Sequence, residues 1–154
     1  MTFLEKICHA LNQNKVGYVI VGGYAVALHG AVRGTLDVDI ALRWTLRDLK
    51  KAEQVLNDLG LVSRLPISAD DIFQFRDEYI KNRNLVAWNF YNPLNLAEQL
   101  DIIITYDAKG RRRESKKLAS ATVPVLNKQD LIEMKRRSGR PQDNADIDAL
   151  EKIK

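Results

Sequence analysis

The chain has 154 residues, 45% apolar and 29% charged, the balance of an ordinary globular protein able to bury a real core. Lys and Arg total 24 against 20 Asp and Glu, a net charge of +4 that makes an acidic ligand more plausible than a cationic one. The single cysteine, Cys8, excludes a disulfide framework and a four-cysteine zinc site, and the two histidines, His9 and His29, leave little for an imidazole metal site.

No apolar run approaches the roughly 18 residues that span a bilayer. The opening MTFLEKICHALNQ carries acid and amide groups where a signal peptide needs an unbroken apolar stretch. The expectation is a reduced, soluble, cytoplasmic protein with no membrane partner, folded as a single domain over 1–154.

In chain order, residues 3–14 put Phe3, Leu4, Ile7, Cys8 and Leu11 on one helical face, and Gly17 closes that segment. Tyr18-Val19-Ile20-Val21 is a β-branched run and reads as a buried strand, broken by Gly22-Gly23. Tyr24 to His29 is alanine-rich, one or two turns of helix. Gly30 and Gly34 then bracket a turn around Arg33. Residues 37–42 alternate and then become fully apolar, a strand whose first residues emerge at a polar edge. Residues 46–59 repeat leucine, alanine and valine at helical spacing, with Gly60 as the C-cap. Ser68 followed by Asp71 signals a helix start for 69–80.

Residues 85–91 read as a strand stopped by Asn92-Pro93, and 99–105 as another, with Asp101 near its start. The basic segment 108–117 reads as helix or loop. Residues 122–126 form a short strand. Asn127 caps a helix from Lys128 to about Ser138, and Pro141 suits the first turn of a last helix. The fold class is α/β (α+β): a small mixed sheet of about five strands flanked by helices, with the last two helices (about 128–153) packed on the same domain. Strands and helices do not alternate strictly, which disfavours a doubly wound parallel sheet.

The chemistry concentrates in residues 21–39. Strand side chains at i and i+2 share a face, so Asp37 and Asp39 project side by side while Val38 points away. Two neighbouring carboxylates repel unless a cation sits between them, and a hard divalent ion such as Mg²⁺ prefers oxygen ligands. An isolated Asp-x-Asp is more often a solvated pair at a strand end. Three features weigh against that here. Gly22-Gly23 follows a buried strand and opens a helix, where backbone can approach phosphate closely. Arg33 and Thr35 lie just upstream, a cation and a hydroxyl suited to a triphosphate. Asp101 sits beside the apolar run Ile102-Ile103-Ile104, where an acid wants a partner.

This pattern resembles the nucleotidyltransferase superfamily, in the group of AbiEii-like and MenT-like toxin transferases. The resemblance rests on Gly22-Gly23, the segment Arg33-Gly34-Thr35-Leu36-Asp37-Val38-Asp39, and the later single acid Asp101. A second similar segment is Asp130-Leu131-Ile132-Glu133-Met134-Lys135, continued by Arg140, Asp143 and Asp146. The resemblance implies a polymerase-β-like fold and transfer of a nucleotide from a nucleoside triphosphate to an acceptor hydroxyl. The acceptor would be RNA such as tRNA, a protein or a small molecule. It implies one or two Mg²⁺ ions on Asp37, Asp39 and Asp101, with Asp101 as general base. It further implies Gly22 and Gly23 at the leaving phosphates, and Lys135 and Asp143 in nucleotide binding or site organisation. A toxin-type role would bring an antitoxin partner. Gly23 stands where many members carry Ser, and backbone N–H groups can still serve phosphate there. The alternative is a catalytically weak nucleotide-binding or protein-interaction module that keeps this fold.

Other motifs carry less. The spacing G-x-G-x-x-G is not met, and no P-loop occurs. His29 and Cys8 read as structural residues, and Trp88 and Phe90 share a core face. Two basic runs, Arg111-Arg112-Arg113 with Lys116 and Lys117, and Lys135-Arg136-Arg137 with Arg140, are either solvated faces or contacts for phosphates.

Overall fold

The computed structural model describes residues 1–34 and 37–153. The chain order is α1 (Phe3–Gln13), β1 (Tyr18–Val21), α2 (Gly22–Leu28), β2 (Val38–Leu42), α3 (Leu46–Asp58), β3 (Val62–Ser63), α4 (Ala69–Gln74), α5 (Arg76–Arg83), β4 (Ala87–Asn92), β5 (Asn95–Ile103), β6 (Arg113–Lys117), β7 (Thr122–Leu126), α6 (Lys128–Ser138) and α7 (Pro141–Glu151). The strands form one mixed sheet in the order β3-β4-β5-β2-β1-β7-β6.

The apolar pattern explains the centre of that sheet. All four residues of β1 are buried, so both faces of this strand are covered, and its two edges pair with β2 antiparallel and β7 parallel. β2 in turn runs parallel to β5, with Asp39 paired to Asp101. Val38, Ile40, Leu42, Leu100 and Ile102 are buried in the core, alternating with the two acids. α1 adds Leu4, Ile7, Cys8 and Leu11 to that core, and α3 adds Leu49, Ala52, Val55 and Leu56. Each large apolar side chain so buried contributes about 1.5–3 kcal/mol.

Local signals set the helix ends. Thr2 and Glu5 form a capping box on α1, as do Ser68 and Asp71 on α4. Asn127 caps α6 by accepting from the Gln129 amide, and Pro141 opens α7. His29 is structural, with Nε2 2.8 Å from the Leu126 carbonyl. Trp88 and Phe90 are core residues, their ring centroids 4.7 Å apart.

Four expectations are revised. The sheet has seven strands where the sequence suggested about five, because β3 is only two residues long and β6 is entirely polar. β6 lies within the basic segment expected as helix or loop. It is an edge strand, and an edge needs no apolar alternation to pair on its inner side. The helix expected over 69–80 is two helices meeting at Phe75. Its second half, α5, buries no residue, so no continuous apolar face holds the two in line. The strand carrying Asp101 starts at Asn95, so this acid stands well inside it.

Candidate active site

The register of three neighbouring strands gathers the acids. β2 and β5 set Asp39 opposite Asp101, and β4 sets Asn89 opposite Asp101 from the other side. Asp37 lies exposed in the bend just before β2 and is close enough to Asp39 for their charges to interact.

Electrostatics mark this group as strained in charge. Burial pushes the Asp39 carboxyl up, and the neighbouring charges of Asp101 and Asp37 push it further, to about 7. Lys135 and Arg140 oppose that rise from a distance. Asp37 is raised as well, by burial and then by Asp101. A carboxyl raised by neighbouring acids gains from a hard cation between them. The donor set is all oxygen, which fits Mg²⁺ in kind. Among the described residues no three acidic, imidazole or thiol side chains already converge as a closed metal cage.

Gly22 is the backbone counterpart of Asp39. It follows Val21, the residue paired with Asp39, and takes φ of +69°, the left-handed region that favours glycine. A Cβ there would collide with Asp39 Oδ2 and come within 2.8 Å of its Cγ. The β1–α2 junction thus has to be glycine because the carboxylate occupies that space. Gly23, next to it, is buried in the first turn of α2.

Asp101 is oriented by residues that the sequence did not single out. Asn89 Nδ2 donates to Asp101 Oδ1 at 2.8 Å, and Arg64 Nε donates to Asn89 Oδ1 at 2.8 Å. The Arg64 guanidinium lies 4.5 Å from the Tyr91 ring centroid, which steadies it. A sequence signal for Asn89 existed: it is the polar residue between Trp88 and Phe90, so it must face away from the core.

A second cluster joins the C-terminal helices. Lys135 Nζ lies 3.0 Å from Asp146 and 3.4 Å from Asp143. Arg140 contacts Asp143 twice, at 2.8 and 3.2 Å. Arg33 Nε reaches Asp146 at 3.1 Å, tying the segment before β2 to α7. Burial would raise the Asp143 carboxyl, but Arg140 and the Ser138 hydroxyl outweigh it and hold the group well below its usual range. Of the expected nucleotide-binding residues, then, Gly22 adjoins the acids, while Lys135, Asp143 and Arg33 are joined in an ion network from which Lys135 acts on the charge of Asp39. Thr35 falls outside the described residues.

No protein-family model matches the sequence, and no curated protein does. Solved structures do. The lincosamide antibiotic adenylyltransferase LnuA, bound to lincomycin, superposes with a TM-score of 0.66 at 18% identity, covering 99% of this chain and 96% of that one. This is the nucleotidyltransferase fold. The antibiotic-resistance factor ANT(2'')-Ia in solution gives 0.61 at 14% identity, over 97% of this chain and 79% of that one. A nucleotidyltransferase-like protein from Paracoccidioides brasiliensis gives 0.60 at 16% identity, over 96% and 72%. No helix of this nucleotidyltransferase-fold chain is long and apolar enough to cross a membrane among the described residues.

Proposed function

We propose that the protein is a Mg²⁺-dependent nucleotidyltransferase that moves a nucleotide from a nucleoside triphosphate to an acceptor hydroxyl. The observation that carries this is the pairing of Asp39 with Asp101 on parallel neighbouring strands, with Gly22 facing Asp39 and Asp37 beside it. Asp37, Asp39 and Asp101 would hold one or two Mg²⁺ ions. When bound, such ions neutralise the triphosphate and stabilise both the attacking and the leaving oxygens.

The protein's own groups divide the remaining work. Asp101, held by Asn89, would accept the proton of the acceptor hydroxyl as it attacks the α-phosphorus and pyrophosphate leaves. Gly22 and Gly23 would present backbone to the leaving phosphates. Lys135 and Asp143 would organise the site, since both are already ion-paired and buried. Arg33 and Thr35 would border the triphosphate from the segment before β2.

The resemblance of residues 33–39 to toxin-type transferases supports an RNA acceptor such as tRNA, with an antitoxin as partner. The shared fold of LnuA, an adenylyltransferase by name, supports a small-molecule acceptor. One experiment addresses both. Thermal shift with Mg²⁺ and each of ATP, GTP, CTP and UTP, on wild type and Asp37→Ala/Asp39→Ala, is followed by pyrophosphate release over tRNA, lincosamide and aminoglycoside acceptors. A ligand at about 100 times its Kd raises stability by roughly 2.7 kcal/mol. The expected result is a Mg²⁺-dependent shift lost in the variant, then release with one acceptor class. A shift that survives in the variant refutes the site. Nucleotide binding without release from any acceptor supports the weak-binding module instead.

A further inference from the structure

The carboxylates occupy the end of the sheet where β1 finishes and β2 begins. A cavity of about 490 Å³ lies at the opposite end, where β1 begins and β2 finishes. Five cationic side chains line it, Lys15, Arg43, Lys109, Arg111 and Arg113, and no acidic side chain does. A concave surface lined by one sign of charge concentrates its field, and arginine matches phosphate with two donors at once.

The nearby acids are already committed. Asp48 is buried, and accepts from the Gly17 amide at 2.9 Å, the Thr45 hydroxyl at 2.8 Å, Arg43 at 3.2 Å and Arg47 at 3.0 Å. Asp107 accepts from the amides of Trp44 and Lys109, at 3.0 and 2.9 Å. Among the described residues, Lys15, Lys109, Arg111 and Arg113 have no carboxylate partner. Two of the five cations are nonetheless held. Arg43 is fixed through its Nε on Asp48, and the Arg111 guanidinium lies 5.3 Å from the Tyr106 ring centroid. Lys15 takes a left-handed backbone, φ 55°, which an L-residue adopts at a cost. Grouped cations, four of the five without a carboxylate partner among the described residues, repel one another, and a multivalent anion reduces that repulsion.

The geometry points to this cavity as a second binding site, for a ligand with several consecutive phosphates. The chemistry is shared by a free oligophosphate chain and by an RNA backbone. The site has no residue in common with the carboxylate end, so it stands whether or not the protein transfers nucleotides.

The test is calorimetric titration of the full chain in EDTA, with tripolyphosphate in one arm and a short single-stranded RNA in the other. Saturable binding is expected, weakened at least about tenfold in Arg111→Ala/Arg113→Ala, the factor that corresponds to 1.4 kcal/mol. Binding should be unchanged in Asp37→Ala/Asp39→Ala and largely kept in Arg111→Lys/Arg113→Lys. If the double alanine variant melts early, Lys15→Ala and Lys109→Ala carry the same comparison. Tighter RNA binding assigns the site to nucleic acid, and tighter tripolyphosphate binding assigns it to a free oligophosphate. Equal affinity in all variants, no binding in either arm, or orthophosphate binding as well as tripolyphosphate overturns the site.

Discussion

Two acidic groups in this molecule behave in opposite ways. Around Asp39, burial and then the charges of Asp101 and Asp37 carry its pKa up to about 7. Around Asp143 and Asp146 the neighbours are Lys135, Arg140 and Arg33, and the Asp143 carboxyl is held well below its usual range. The residue type is the same in both places. What differs is whether the chain itself brings the counter-charge. The C-terminal cluster is complete and joins α6, α7 and the segment before β2. On the proposed function, a bound cation would complete the balance at the β2–β5 pair.

The sharpest way to break that contrast is to neutralise Asp39. Asp39→Asn keeps the shape and removes the charge, so nucleotide transfer should fall by at least about 10³-fold. The same substitution should stabilise the metal-free protein at pH 8. A raised carboxyl keeps its proton in the folded state between about pH 4 and 7, while the unfolded chain has released it. Stability is therefore fully present at the acid end and drains away as pH rises to about 7. Asp39→Asn removes that loss, on the order of 2–3 kcal/mol once solvent screening is allowed for. Urea melts in EDTA at pH 5 and pH 8 measure it. A variant no more stable than wild type at pH 8 would mean that the two clusters do not differ as described.

The opposite substitution belongs to the other cluster. Lys135→Met removes the cation between two buried carboxylates, and should destabilise the protein by about 3 kcal/mol. Asp143 keeps Arg140 and Asp146 keeps Arg33, which holds the loss to the lower part of the range for a broken buried pair. Its effect on Mg²⁺-dependent nucleotide binding should be small beside its effect on the melting midpoint. A Lys135→Met protein with normal stability but no nucleotide binding would make this lysine a direct ligand.

Gly22→Ala tests the backbone half of the first cluster. The added methyl needs the space that Asp39 holds, and a φ of +69° is costly for alanine. A loss of about 2 kcal/mol is expected, together with loss of nucleotide binding. Paired with Asp39→Ala, which empties that space, the alanine should cost measurably less than it does alone.

How much of this the sequence disclosed follows from the range of each interaction. Asp37, Asp39 and the Gly22-Gly23 turn lie within one short segment and were legible together, although Asp37 stands in the bend before β2 and so outside the strand alternation. The helix caps at Ser68 and Asn127 are equally local. Asp101 became legible as an acid beside an apolar run, but its pairing with Asp39 needed the strand order. Asn89 showed only as a polar residue facing away from the core, and Arg64 not at all, because their roles depend on which strands are neighbours. β6 was hidden for a different reason: an edge strand of Arg, Glu, Ser and Lys has no apolar signature at all. The basic residues at 111–113 could be seen as a charge run. Only the fold shows that Arg111 and Arg113 meet Lys15 and Arg43 around one cavity.

The finest test of the contrast concerns orientation rather than charge. Asn89 is neutral, so Asn89→Ala leaves the charge around Asp39 unaltered. It removes the donor at 2.8 Å from Asp101 Oδ1 and frees Arg64 from the amide it now binds. Partners behind a metal-binding carboxylate matter by about 10–100-fold in activity or metal affinity. The expected signature is therefore a fall of that size in turnover, with the melting midpoint at pH 8 in EDTA nearly unchanged. Asn89→Gln should recover little, because its amide sits one methylene further out. Asn89→Asp should melt lower than alanine in EDTA, since it places a further negative charge against Asp101. If Asn89→Ala lowers stability and turnover in proportion, Asn89 acts as a strand-pairing residue only. If turnover alone falls, the carboxylate end is tuned for position as well as for charge.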